Sequence, residues 1–151
     1  MVRRRGKIVL TTGVFDLIHA GHVRMLQEAK RLAGRNGKLV VVVARNDTVV
    51  KNKGRKPIFD ERIRRFIVEN LKPVDRAILG YRPLSFEKIL KEIKPDVVVF
   101  GYDQREIRKR FEEFCRERGI KVRVVTLRRY RVGDINSTSD VFRRVLELTQ
   151  G

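Results

Sequence analysis

The sequence predicts an α/β fold: a single Rossmann-like domain over residues 1–151, built on a five-stranded parallel sheet of order 3-2-1-4-5 with helices on both faces. Three observations predict it. Short apolar runs alternate with segments of helical periodicity along the whole chain. Two of those runs, Leu39-Val40-Val41-Val42-Val43 and Val97-Val98-Val99-Phe100, are unbroken, as strands covered on both faces are. Glycine-containing turns follow the first and fourth runs, which in a sheet of that order are neighbours at the topological switch point.

The elements follow in order. Ile8-Val9-Leu10 is the first strand, and residues 13–22 lead from it into a helix marked by Val23, Leu26 and Ala33. Residues 38–44 form the second strand. A basic loop comes next, Lys51-Asn52-Lys53-Gly54-Arg55-Lys56-Pro57, and then Ile63, Phe66, Ile67 and Leu71 mark a helix. Ala77-Ile78-Leu79 is a short strand ended by Gly80 and Pro83. Ser85 is the N-cap of a helix whose apolar face is Phe86, Ile89, Leu90 and Ile93. Pro95 stops that helix before the fourth strand, residues 97–100. Gly101-Tyr102-Asp103-Gln104 then turns into a long charged helix ending near Gly119. Residues 122–126 are the fifth strand, followed by Arg128-Arg129-Tyr130-Arg131. The last helix starts at Ser137-Thr138-Ser139 and runs through Val141, Phe142, Val145 and Leu146.

Lysine and arginine number 36 against 18 acidic residues, a formal charge of +18. That balance attracts polyanions, and it is also the surface of a thermophile-like protein rich in charge. Nucleic acid is therefore weighed as a partner. The chain lacks an RNP-like aromatic pair, a zinc-finger spacing and a recognisable helix-turn-helix, which leaves weak, salt-sensitive binding through Arg3–Arg5 as the expectation. No apolar run approaches membrane-spanning length, and the start lacks the apolar stretch of a signal peptide, so a cytoplasmic protein without membrane contact is expected. A homodimer is the association state allowed for, as the commonest solution. The single Cys115 excludes an internal disulfide and shares a stripe with Ile107, Phe111 and Phe114, the pattern of a core residue.

The chemistry concentrates in Gly13-Val14-Phe15-Asp16-Leu17-Ile18-His19-Ala20-Gly21-His22, which holds the only two histidines of the chain. The first amides of a helix have no intrahelical acceptor and point outward, a ready anion site. His19 and His22 at that entry can present two ring N–H groups to one phosphate, and Gly21 carries no side chain to block its approach. The positive end of the helix dipole disfavours imidazolium, so neutral rings are expected. Two other readings stand beside this one: the pair as local helix caps, and the pair as metal ligands. A metal needs a third ligand, and a helix-face zinc pair is usually spaced i,i+4 with a glutamate between, so no metal site is assigned. Asp16 is read as fixing the loop rather than as a ligand.

The predicted topology places the remaining groups. The clusters at residues 51–56 and 128–131, Ser137 and Thr138 all follow strands on the edge that carries the histidines, and phosphate contacts are expected there. Asp103 is read as a partner for ribose hydroxyls or base, or as the N-cap of its helix. No P-loop, nucleophile elbow or H-E-x-x-H pattern occurs. A phosphate monoester acceptor is already anionic and needs no general base. Catalysis can then rest on alignment and charge stabilisation.

Gly13-x-Phe15-Asp16-x-x-His19-x-Gly21-His22 resembles the H-x-G-H signature of the cytidylyltransferase-like nucleotidyltransferases, with Val14 where the family usually has threonine. Ala44-Arg45-Asn46-Asp47-Thr48-Val49, Gly54-Arg55-Lys56-Pro57-Ile58, Leu71-Lys72-Pro73-Val74-Asp75 and Gly101-x-Asp103-Gln104 resemble the archaeal FAD synthases within it. The resemblance implies transfer of AMP from ATP to FMN with release of pyrophosphate, and a Mg2+ ion carried by the triphosphate. It implies catalytic roles for His19, His22, Lys53 and Arg64, with an exposed helix charge as the alternative for Arg64. It implies ATP contacts at Val14, Phe15, His19, His22, Asp103 and Tyr130, and the residue reading adds Gly13, Gly21, Arg131, Ser137 and Thr138 to the nucleotide site. The rival within the family is a glycerol-3-phosphate cytidylyltransferase, whose relatives commonly place tryptophan where this chain has Gln104. A flat flavin ring needs an apolar or aromatic slot, for which Ile58, Phe59 and Tyr81 are the candidates.

Overall fold

Unbroken valine runs can be buried on both faces only inside a layered sheet, and that is where they lie. The computed structural model describes residues 6–151. Strands β1 (Ile8–Gly13), β2 (Lys38–Val43), β3 (Arg76–Leu79), β4 (Val97–Phe100) and β5 (Arg123–Thr126) form one parallel sheet of order β3-β2-β1-β4-β5. The expected order is the observed one. Leu10 sits opposite Val40 on one side and Val98 on the other, so β1 and β4 are neighbours at the switch point.

Alternation along the strands divides the core in two. Val9, Val41, Val43, Val97 and Val99 point to the face covered by α1 (Ala20–Ala33) and α3 (Glu61–Glu69), where they meet Leu26, Ala29, Ala33 and Val68. Leu10, Val40, Val42, Val98 and Phe100 point to the other face, against Ile89 and Ile93 of α4 (Phe86–Ile93) and Phe111 and Cys115 of α5 (Arg105–Arg118). Cys115 is a core residue, as its stripe predicts. The last helix, α6 (Thr138–Thr149), follows β5.

Three local differences from the sequence reading have physical causes. β1 runs on through Thr11-Thr12-Gly13, which carry no apolar signal but pair with Val41, Val42 and Val43. The basic loop begins inside a helix: α2 (Asn46–Lys53) contains Lys51 and Lys53 in its last turn and is ended by Gly54 at φ +71°, and residues 54–57 lie beyond it. Glycine takes that left-handed cap without steric penalty. In α3, Ile63 and Phe66 are exposed whereas Glu61, Arg64 and Val68 are buried, the reverse of what the apolar spacing predicts. Polar partners, described below, hold α3 in that rotation. Ser85 caps α4 as expected, accepting from the Lys88 amide at 3.2 Å. Residues 3–5, on which nucleic-acid binding is expected, lie outside the described residues. Among the described residues no helix is long and apolar enough to cross a membrane.

Candidate active site

The loop between β1 and α1 is held in a costly backbone. Phe15 and Leu17 sit at φ +54° and +50°, left-handed values that residues with a Cβ avoid. Several groups hold it there. The Phe15 ring is buried in the core, lying where a Cβ on Gly13 would be, 2.8 Å from its Cε2. Only glycine fits beneath that ring. The Asp16 carboxylate accepts the amides of Ile58 at 2.6 Å and Phe59 at 2.9 Å, so it fixes the loop, as read from the sequence. The Thr138 hydroxyl donates to the Asp16 carbonyl at 3.4 Å and brings the start of α6 to the same place.

His19 is the N-cap of α1, and its Nδ1 accepts the Gly21 amide at 3.1 Å. His22 Nδ1 in turn accepts the His19 amide at 3.2 Å, a reciprocal capping box made of imidazoles. The two rings stack with centroids 3.7 Å apart. Capping and anion binding are therefore compatible in one geometry. An Nδ1 that accepts carries no proton, which leaves the N–H of each neutral ring at Nε2. Burial holds His22 neutral down to a pKa of about 3, helped by the charges of His19 and Lys53, and burial lowers His19 against a smaller opposing pull from Asp140. Neutral rings are as expected, with desolvation as the leading cause.

Gly21 is hemmed in by protein. A Cβ there would stand 2.9 Å from the Asn136 carbonyl oxygen and 3.0 Å from the His19 ring. The side-chain position expected to face a phosphate is instead filled by the segment before α6, which approaches α1 there. Asn136 shapes that segment: its side chain accepts from the Val132 amide at 2.6 Å and donates to the Gly133 carbonyl at 2.7 Å.

Arg64 is wholly buried, which overturns the exposed-charge alternative. Nε donates to the Phe59 carbonyl at 2.9 Å, one terminal nitrogen to the Val14 carbonyl at 2.8 Å, and the other to Asn46 Oδ1 at 2.8 Å. A guanidinium so enclosed ties three segments together and is not placed to reach a substrate. Glu61 extends the network, accepting from the Arg45 guanidinium at 2.7 Å and the Asn46 amide at 2.9 Å. These bonds rotate α3 so that its polar side faces in. Lys53, at the end of α2, is exposed and close enough to His22 for its charge to act there.

The turn after β4 adjoins this loop. Gln104, not Asp103, occupies the N-cap of α5. Its Oε1 accepts the Gly101 amide and its Nε2 donates to the Thr12 carbonyl, both at 2.8 Å, which bridges the two strand ends at the switch point. Asp103 is exposed on that turn. The Arg129 guanidinium lies 5.7 Å from the Tyr102 ring, and Arg128 lies 4.6 Å from the Tyr130 ring, so Asp103, Tyr130 and exposed Arg131 occupy an adjoining pair of loops. Ser137 caps α6, accepting from the Asp140 amide at 3.1 Å. Its own O–H stays available as a donor beside the free amides of the helix start.

Ile58, Phe59 and Tyr81 do not form one slot. Ile58 and Phe59 are tied to Asp16, whereas Tyr81 packs with the α4–α5 core, donates to Glu92 and lies under Lys88. Sequence reasoning passed over Gln104, Asn46 and Asn136 as site-building residues. Only Gln104 had a signal, its place in the glycine turn.

Two helix starts, those of α1 and α6, thus converge beside a basic helix end at the switch point of a parallel sheet. The model of the cytidylyltransferase-like family matches residues 10–144, and the chain belongs to that family. It is 49% identical over 139 residues to the FAD synthase of Aciduliprofundum boonei, covering 92% of this chain and 90% of that one. It is likewise 49% identical over 143 residues to the FAD synthase of Korarchaeum cryptofilum, covering 95% and 94%. Among solved structures, a lipopolysaccharide core biosynthesis protein from Thermoplasma volcanium superposes with a TM-score of 0.74 at 41% identity, over 83% of this chain and 99% of that chain.

Proposed function

We propose that the protein is an FAD synthase that transfers AMP from ATP to the phosphate of FMN. The observation that carries this reading is the imidazole capping box, which turns both Nε2–H groups of His19 and His22 into preset donors at the start of α1. Near-full-length identity to FAD synthases supports the choice of substrates.

An oxygen of the FMN phosphate attacks the α-phosphorus of ATP. The bond from that phosphorus to the oxygen bridging toward the β-phosphate breaks, and pyrophosphate leaves with its electron pair. The attacking oxygen is anionic and no proton has to be removed. The two Nε2–H donors and the first amides of α1 stabilise charge developing on the transferred group. Lys53, Arg131, the Ser137 hydroxyl and the start of α6 hold the leaving phosphates, Gly13, Val14 and Phe15 act through backbone, and Gly21 serves the histidine cap with its amide. Asp103 and Tyr130 take the nucleoside. Arg64 and Asp16 are positioning residues.

A Mg2+ ion carried on the triphosphate would add charge stabilisation on the phosphates. Among the described residues no group of three or more His, Cys, Asp or Glu could hold a metal ion, and both Asp16 oxygens accept amides. The test offers ATP or CTP with FMN or glycerol-3-phosphate and separates the products by chromatography. FAD and pyrophosphate from ATP and FMN are expected. Turnover that needs CTP and yields no FAD would overturn the assignment.

A further inference from the structure

Beside β2 the first strand stays paired to its last residue, Gly13 opposite Val43, but beside β4 the register stops two residues earlier, at Thr11 opposite Val99. The crevice at the switch point opens there, between the Thr12 carbonyl and the Gly101 amide. A continued parallel ladder would bond carbonyls and amides of the two strands directly. Instead the half-buried Gln104 side chain lies between them, its Oε1 accepting the Gly101 amide and its Nε2 donating to the Thr12 carbonyl, both at 2.8 Å. The two strand ends are thus held apart by two hydrogen bonds and an amide rather than joined by one hydrogen bond.

We propose that Gln104 is a positioning residue whose side-chain amide sets the width of this crevice, and with it the distance between the groups that take the nucleoside and the histidine donors. The inference rests on the FAD synthase reading above. Each end of the spacer is fixed to one part of the site. On the β4 side the Gln104 amide donates to the Gly101 carbonyl at 3.1 Å and closes the turn, and Asp103 Oδ1 lies 3.0 Å from where a Cβ on Gly101 would stand. Asp103 is therefore carried by the turn that Gln104 grips. On the β1 side Thr12 leads directly into Gly13, which lies under the Phe15 ring at the head of the histidine loop. A nucleotide held by its nucleoside on the β4 turn and by its phosphates at the start of α1 spans the crevice, so its α-phosphorus meets the histidines at one width only. The chemistry selects glutamine for this. One uncharged side chain must offer an acceptor to one strand and a donor to the other, an ionised glutamate offers acceptors alone, and asparagine is a methylene shorter.

Ligands that span the crevice and ligands that touch one side of it separate this role from a merely structural one. Gln104→Met keeps the length of the side chain and removes both hydrogen bonds, and Gln104→Glu keeps the acceptor for Gly101 while turning a carboxylate toward the Thr12 carbonyl. In either variant kcat/KM for ATP is expected to fall about a hundredfold, the cost of roughly 1 Å of misplacement, with most of the loss in kcat. Adenosine, held on the β4 side, and pyrophosphate, held on the α1 side, should bind the variants in calorimetry as they bind the wild-type protein. Thermal melts show whether each variant folds, and Gln104→Glu decides the matter if Gln104→Met does not. Wild-type kcat/KM in a folded variant would overturn the spacer role. Binding of adenosine and pyrophosphate lost in step with ATP would overturn it too, because the turn and the loop would then have lost their own shape rather than their spacing. A wild-type protein that turns over a nucleotide without forming FAD overturns the FAD synthase reading alone, since the same comparison runs on the nucleotide it uses. A wild-type protein that transfers no nucleotide overturns both.

Discussion

The Nδ1 atom of His22 accepts the backbone N–H of His19, and the Nδ1 of His19 accepts the N–H of Gly21. Each imidazole therefore caps the helix with one nitrogen and leaves the other, Nε2, outside the cap. The two duties separate on substitution. Asparagine can place an oxygen near the Nδ1 position and keep the cap, but it cannot reach where Nε2–H stood. His19→Asn or His22→Asn should fold normally and lose turnover by roughly a hundredfold, the effect of deleting a transition-state donor worth about 3 kcal/mol. The alanine variants should lose as much turnover and about 1 kcal/mol of stability besides, because the cap goes too. Steady-state kinetics paired with thermal melts distinguishes the two. Near-normal turnover with only weaker ATP binding would make the histidine a ground-state contact.

Gly21 joins the start of α1 to the segment before α6. Gly21→Val should raise the KM for ATP more than it lowers stability. Its Cβ meets the Asn136 carbonyl at 2.9 Å and the His19 ring at 3.0 Å, so the starts of α1 and α6 must shift. Overpacking of this kind typically costs about 1–3 kcal/mol. ATP titration and melts on the purified variant check the order of the two effects, and an unfolded variant would make Gly21 a residue of the fold alone.

What could be read from sequence was what local chemistry encodes. Valine runs covered on both faces, each followed by a turn, define the sheet order, and the histidine pair with its glycine makes most of its hydrogen bonds within four residues. Helix α2 was hidden because Asn46-Asp47-Thr48-Val49-Val50-Lys51-Asn52-Lys53 buries only Val49, so no apolar stripe announces it. The rotation of α3 was hidden for the opposite reason. Ile63 and Phe66 have the spacing of a buried face, but Arg64 turns inward to acceptors at Val14 and Asn46, 50 and 18 residues away. No periodicity can show such partners. Of the two readings of Asp103, the N-cap position falls to Gln104 instead, whose side chain bonds no helix amide but bridges Gly101 and the Thr12 carbonyl, 92 residues earlier and beyond the reach of local spacing.

Arg64 should behave as a strut. Arg64→Met is expected to lower stability by about 3 kcal/mol or more, because it leaves the Val14 and Phe59 carbonyls without their donor in a buried setting. Activity should fall with it, since Val14 lies in the loop that carries His19. Arg64→Lys should recover little, as one ammonium cannot reproduce three divergent donors. Denaturant melts of both variants measure this. A stable Arg64→Met protein with selective loss of turnover would instead put the guanidinium on the substrate.

The neutral histidines give a pH dependence whose sign can be worked out. The pKa of His22 falls from 6.5 in the unfolded chain to about 3 in the folded one, and that of His19 is also lowered. Between those values the unfolded state binds more protons than the folded state, so stability rises with pH and is lost as pH falls below about 6.5. Carboxylates with lowered pKa values, such as Asp60 and Asp140, act in the same direction but only at more acid pH, where their unfolded forms titrate. Melts between about pH 7 and pH 5 therefore isolate the histidines. The wild-type protein should lose stability across that window, and His22→Asn, which has no proton to gain at that position, should show a visibly shallower slope. Protonation of His22 should take nothing from turnover over the same range, because its ring stays neutral down to about pH 3. A wild-type slope unchanged in His22→Asn would mean that His22 is as readily protonated in the folded protein as in the unfolded chain, and the capping geometry would then have to admit a proton at Nδ1.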